Sequence, residues 1–157
     1  MLIGRRDLVG YALLNNSPHE DTIGRSQKVG KEEIVGMVKA LELYLSEDHE
    51  ALTKEWQDRL ESISRQITKV PGVSTSFFVP EIANHVPHMR IILDPAKISV
   101  TPKEVSQLLR DSKPSIVMSV GEDTPGLAMN SFMLQTGEDK VVADTLVRIL
   151  REHATRG

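Results

Sequence analysis

No cysteine occurs in the 157 residues. That excludes a disulfide framework, a thiolate metal site and a cysteine nucleophile. No apolar run approaches the roughly 20 residues that span a bilayer, and no signal-peptide pattern opens the chain. Aromatic residues are sparse at 4%, while the hydrophobic and charged fractions are those of ordinary globular proteins. Excess basic charge is also missing. The formal net charge of -3 argues against broad binding to a nucleic-acid backbone but leaves room for a local basic patch. There is no Walker loop, no GxSxG nucleophile elbow and no HExxH. The expectation is a soluble, cytoplasmic protein with no membrane segment, of a length that suits one domain.

What is present gathers around Thr22 to Glu47. Arg25, Lys28 and Lys31 fall within seven residues on a loop spaced by Gly24 and Gly30, and that loop runs into a strongly periodic helix. Cations on such a loop, with amide donors at a helix start, form a candidate site for a carboxylate or phosphate. Basic residues on a surface loop with turn glycines are the plainer alternative. Upstream, Leu2-Ile3 before Gly4-Arg5-Arg6-Asp7-Leu8 reads as the tail of a buried strand passing into a helix. A lone strand end would leave backbone groups unsatisfied, which hints at a start in the middle of a larger fold. Asn15 to Asp21 reads as a polar loop, since Pro18 excludes regular helix. With no periodicity as far as Gly30, the segment is expected to be functional or mobile.

After Lys31, Ile34, Val38, Leu41 and Leu45 form an apolar stripe, with Glu32 and Glu33 in the dipole-favoured first turn. Gly36 inside that helix predicts close packing there. A second helix, Glu50 to Lys69, presents Leu52, Trp56, Leu60, Ile63 and Ile67, with Asp48 as its candidate cap and Pro71-Gly72 as its end. The period then changes. Val73 to Val79 and Met89 to Leu93 read as strands. Thr101-Pro102-Lys103-Glu104 carries the capping-box pattern of a helix presenting Val105, Leu108 and Leu109. Ser115 to Val120 and Leu127 to Leu134 read as two more strands about a Gly121–Gly126 turn, before a last helix from Glu138 to His153. The order αββαββα predicts a small antiparallel sheet with helices on one face, an α+β fold.

Chemical candidates outside the basic loop are few. His85 and His88 sit three apart and would need a third ligand to hold a metal, so no metal is expected. Glu122 and Asp123 lie in a tight turn where acids are common. Arg90 opens an apolar strand, where it could face a cleft and bind a carboxylate, although exposure at a sheet edge is commoner. Trp56 belongs to its helix's inner stripe and reads as core.

Three strings carry a family resemblance: Ile3-Gly4-Arg5-Arg6-Asp7-Leu8, then Ile23-Gly24-Arg25, then Lys28-Val29-Gly30-Lys31-Glu32-Glu33-Ile34-Val35-Gly36. Together they resemble the selenocysteine-synthase-like proteins, pyridoxal-phosphate enzymes of the aspartate-aminotransferase fold (fold type I). That group includes selenium transferases acting on seryl-tRNA and D-glucosaminate-6-phosphate ammonia-lyase. KVGKEEIVG is the specific part, and the αββαββα order is similar to that fold's C-terminal small domain. Ser26-Gln27 stands where the family pattern has Pro-Met.

The resemblance implies a division into 1–30, the end of the large cofactor domain with an active-site loop; 31–48, a linking helix; and 49–157, the small domain. It implies pyridoxal 5'-phosphate in the full-length family. The family's Schiff-base lysine context, Ser/Asp-Lys-apolar-Gly-Gly-Pro, surrounds none of Lys28, Lys31, Lys97 or Lys140. The chain therefore resembles only the C-terminal part, no catalytic residue is assigned, and no cofactor is expected for the chain alone. Arg25, Lys28 and Lys31 would bind a substrate carboxylate or phosphate at the active-site edge. Asn15 and Asn16 would face the substrate or a neighbouring subunit. The implied partners are a small phosphorylated or carboxylated substrate and either a missing large domain or further copies of the chain. A tRNA is disfavoured by the acidic charge. The competing class is a non-catalytic binding or oligomerisation module, since a compact αββαββα unit can bind partners without chemistry.

Overall fold

The computed structural model describes residues 2–16, 18–82, 85–120 and 126–155. The Cα framework divides into two units, Met1–Asp48 and His49–Gly157. In the second, helix α3 (His49–Ile67) leads to strands β1 (Val73–Phe78) and β2 (His88–Leu93). Helix α4 (Pro102–Arg110), strands β3 (Ser119–Val120) and β4 (Leu127–Asn130) and helix α5 (Glu138–Glu152) follow. This is the predicted αββαββα order. The four strands form one sheet in the order β1-β2-β4-β3, antiparallel at every pair.

Strand alternation explains where the core sits, because successive side chains take opposite faces. Register pairs Val73 with Leu93, Met89 with Met129, and Ile91 with Leu127, so one face is aliphatic. Against it pack Leu60, Ile63 and Ile67 of α3, Val105 and Leu109 of α4, and Leu146, Ile149 and Leu150 of α5, all buried. Within this unit, helices on one face of the sheet make an α+β layer pair.

Local signals set the helix ends. Thr101 accepts a hydrogen bond from the Glu104 amide (3.3 Å), and the Glu104 carboxylate accepts from the Thr101 amide at 2.8 Å; with Pro102 in the first turn the capping box is complete. Trp56 is half-buried with Phe132 edge-on at 6.3 Å, a packing role. Ser131, fully buried, donates to the Trp56 carbonyl at 2.7 Å and ties the end of β4 to α3.

Two strand expectations were too long. The segments 115–118 and 131–134 lie outside the ladder, and at 131–134 the chain turns instead, with the Leu134 amide donating to Ser131 at 3.1 Å. The Arg59 guanidinium also reaches the Leu134 carbonyl and holds that turn to α3. The Gly121–Gly126 turn with Glu122 and Asp123, apart from Gly126 itself, lies outside the described residues.

The first unit holds helix α1 (Arg6–Leu14), a single 3-10 turn (Arg25–Gln27) and helix α2 (Lys31–Ser46). The expected strand at Leu2-Ile3 is absent; no described strand offers it a ladder, and Ile3 is 80% exposed. Helix α2 forms where its periodicity predicts, but its stripe is open, with Ile34 54%, Val38 53% and Leu45 73% exposed. None of the residues of α1 or α2 is buried. Gly36 meets nothing within 4 Å of where a Cβ would stand, so the close packing predicted there is not made among the described residues.

Candidate functional site

The basic loop lies wholly in the first unit. Helix α1 ends at Leu14, and the Asn15 amide continues its bonding to the Tyr11 carbonyl at 3.1 Å. The chain then returns so that the Gly24 amide donates to the Asn15 carbonyl at 2.9 Å. Asn16 and Gly24 form an isolated parallel bridge. A Cβ at Gly24 would stand less than 3.0 Å from both the Asn15 carbonyl oxygen and Asn16 Oδ1. Glycine is therefore required by close approach, not by backbone angle. The Asn16 amide nitrogen donates to the Ala12 carbonyl at 2.6 Å, which pins the loop to the end of α1.

Beyond the 3-10 turn the chain extends through Lys28 into α2. Between α1 and the start of α2 lies a pocket of about 550 Å³, open to solvent. Val9, Ala12, Leu13, Val29 and Ile34 supply an apolar wall, and Asn16, Gln27, Lys28 and Lys31 the polar rim. Of the five predicted residues the pocket thus gathers Asn16, Lys28 and Lys31. Arg25 and Asn15 do not line it; both are exposed, and Asn15 acts through its backbone. Residues from α1 were not singled out in the sequence, although the Val9, Ala12, Leu13 spacing is helical and was the available signal.

Two ammonium groups beside an apolar wall suit an anion carried on a carbon skeleton. The helix start contributes less than expected. Glu32 and Glu33 bring their carboxylates to Gly30, so the amide end of α2 already faces negative charge. Recognition would rest on the lysines.

The cofactor implied by the family resemblance needs an amine for imine formation, an acid toward its ring nitrogen and a phosphate cradle. The pocket offers amines, but no carboxylate lines it. Lys97 faces Asp94 at 4.0 Å and Lys140 pairs with Asp144 at 2.5 Å, both exposed on the second unit. These residues fit an anion and do not fit the cofactor. Among the described residues no group of three His, Asp or Glu could hold a metal. His85 is exposed, while His88 is half-buried with Nδ1 2.8 Å from the Val86 carbonyl. Arg90 is half-buried on the interior strand β2, so of the two places the sequence left open for it the exposed sheet edge does not occur. No helix among the described residues is long and apolar enough to cross a membrane.

No family model matches the chain. A curated relative, 5'-C-glycyluridine monooxygenase-decarboxylase from a Streptomyces species, is 26% identical over 117 residues, covering 74% of this chain and 28% of the relative. Among solved structures the chain is similar to D-glucosaminate-6-phosphate ammonia-lyase, with a TM-score of 0.62 at 20% identity. That match covers 86% of this chain and 36% of the lyase chain. The chain thus spans well under half the length of either protein. Its helix and antiparallel-sheet architecture is the fold of part of the lyase.

Proposed function

We propose that this chain is one part of a pyridoxal-phosphate-dependent lyase or transferase acting on an amino acid or amino sugar acid, and that residues 1–48 supply its anion-binding edge. The observation that carries the reading is the gathering of Asn16, Lys28 and Lys31 on one apolar-walled pocket. The likeness in fold to the ammonia-lyase and the KVGKEEIVG resemblance to selenocysteine-synthase-like proteins support it. The names of the two similar proteins share a chemical feature, an amino group beside a carboxylate on a larger polar skeleton. A small phosphorylated or carboxylated substrate fits the rim better than a tRNA, given the net negative charge.

In the full-length family the cofactor supplies an electron sink for charge developing at Cα. This chain, without the lysine context, contributes binding and orientation and has no turnover alone. Arg25 and Asn15 flank the pocket's loop and steer the anion or face a neighbouring subunit. The open apolar side chains of α1 and α2, such as Leu8, Tyr11, Ile34 and Val38, are covered by a large cofactor-bearing domain. A second copy of the chain is the alternative cover, and it belongs with the reading as a non-catalytic oligomerisation module.

Calorimetric titration of the full chain with D-glucosaminate 6-phosphate tests this. Saturable binding is expected, weakened about tenfold or more in the Lys28→Gln/Lys31→Gln variant. Binding that ignores both lysines overturns the site. A reducible imine absorbance with turnover, on adding pyridoxal phosphate to the isolated chain, overturns the claim that it is inactive alone. Self-association into a stable dimer by sedimentation, with no ligand binding, favours the oligomerisation module.

A further inference from the structure

The sheet face turned away from the helices carries a cation that no described residue neutralises. Register places its neighbours. Ser76, Arg90 and Ala128 lie side by side across β1, β2 and β4, and Phe78, His88 and Asn130 form the next row, about 7 Å along the strands. Arg90 therefore stands between two small side chains. Its stem also passes where Gly126 has no side chain; a Cβ there would be 3.5 Å from Arg90 Cγ.

The guanidinium carbon lies 4.8 Å from the centre of the Phe78 ring. Its Nε is buried and has no hydrogen-bond partner among the described residues. The row beside it is ordered. The His88 ring stands 5.3 Å from Phe78, its Nδ1 meets the Val86 carbonyl at 2.8 Å, and its Nε2 lies 3.4 Å from Asn130 Nδ2. With the proton on Nδ1 donated to Val86, Nε2 accepts from Asn130, whose amide keeps a second N–H to give. The strand residues of this face are Ser74, Ser76, Phe78, His88, Arg90, Ile92, Ser119, Ala128 and Asn130; none is acidic. A stacked, partly dehydrated guanidinium with no carboxylate paired to it among the described residues is a strong oxyanion receptor, because dehydration raises the attraction that water would otherwise screen.

We propose that this outer face binds a small oxyanion, a carboxylate or a phosphate, on Arg90, with Asn130 and the Ser76 hydroxyl as flanking donors. The site lies within the second unit and stands whether or not the Lys28–Lys31 reading holds.

The test is nuclear magnetic resonance of the nitrogen-labelled full chain, following the Arg90 Nε–H signal and the amides of 88–90 and 128–130. Inorganic phosphate is titrated in one arm and acetate in the other; the tighter arm identifies the ligand class. Saturable shifts at these positions are expected in at least one arm. Arg90→Gln should weaken binding about tenfold or more, and Arg90→Lys should weaken it as well, since an ammonium lacks the planar fork. Asn130→Asp, which sets a negative charge beside the guanidinium, should also lose binding and serves if Arg90→Gln does not fold. Lys28→Gln/Lys31→Gln should leave the shifts unchanged. No saturable shift in either arm, unchanged shifts in Arg90→Gln, or loss of the shifts in the double lysine variant would each overturn the proposal.

Discussion

Gly126→Ala should be among the most damaging single-methyl additions to the second unit. Gly126 leads into β4 with φ +120, a region where alanine costs about 1–3 kcal/mol. The new Cβ would also stand less than 3.0 Å from the Ile91 carbonyl oxygen. Ile91 is fully buried on β2 and paired to both Thr75 and Leu127. Its carbonyl can retreat only by disturbing the middle of the sheet, an overpacking cost of about 1–3 kcal/mol. The sum, about 2–6 kcal/mol, is a large share of the roughly 5–15 kcal/mol that stabilises a domain. Near 4 °C per kcal/mol, the midpoint should fall by about 8–24 °C. Gly137→Ala is the comparison, because Gly137 has φ +88 but nothing within 4 Å of its Cβ position; it should cost about 1–2 kcal/mol, the backbone part alone. The single tryptophan, Trp56, half-buried on α3, reports the unfolding of this unit in urea by fluorescence. If the two alanine variants unfold within about 0.5 kcal/mol of each other, the clash with Ile91 contributes nothing and the reasoning fails.

Two further outcomes follow from local geometry. The Thr101 backbone N–H and then its hydroxyl hold the Glu104 carboxyl below the usual carboxylate range. A depressed folded value means stabilisation that is fully present above the unfolded value of about 4.3 and lost as pH falls through the folded one. Thr101→Ala removes the hydroxyl and keeps the backbone N–H, so the Glu104 titration, followed by carboxyl carbon resonance, should move only part of the way toward the ordinary range; an unmoved titration would show that the hydroxyl contributes nothing to it. Gly36→Ala should raise the helicity of α2 by circular dichroism, worth about 1 kcal/mol, because nothing lies within 4 Å of the added methyl. A loss of helicity would mean that the glycine is needed within the lone chain.

Much of the second unit was legible because its signals are local. The Thr101–Glu104 box, the apolar spacing of Leu60, Ile63 and Ile67 and the change of period after Gly72 each report on a few neighbouring residues. The strands at 115–120 and 127–134 were overextended, since an apolar run does not say how far a neighbour pairs with it. The candidate pocket was half legible. Lys28 and Lys31 stood out by charge, but Val9, Ala12 and Leu13 entered only when α1 came beside the start of α2. For Arg90 the apolar strand left two places open, a cleft and an exposed sheet edge, because strand order is not written in the strand itself. The order β1-β2-β4-β3 puts β2 inside the sheet.

By itself the sequence determined the order of helices and strands in the second unit, where α4 begins, and which stripe of each periodic helix is apolar. Those properties follow from periodicity and capping, which act over a few residues. Tertiary structure decided strand order, the half-buried setting of Arg90 on the outer face, and the fate of each stripe. The stripe of α3 is buried by the sheet and α5, and that of α2 stays open. Spacing fixes the direction in which a helix is greasy; only a second surface, brought from far along the chain or from another molecule, removes that grease from water.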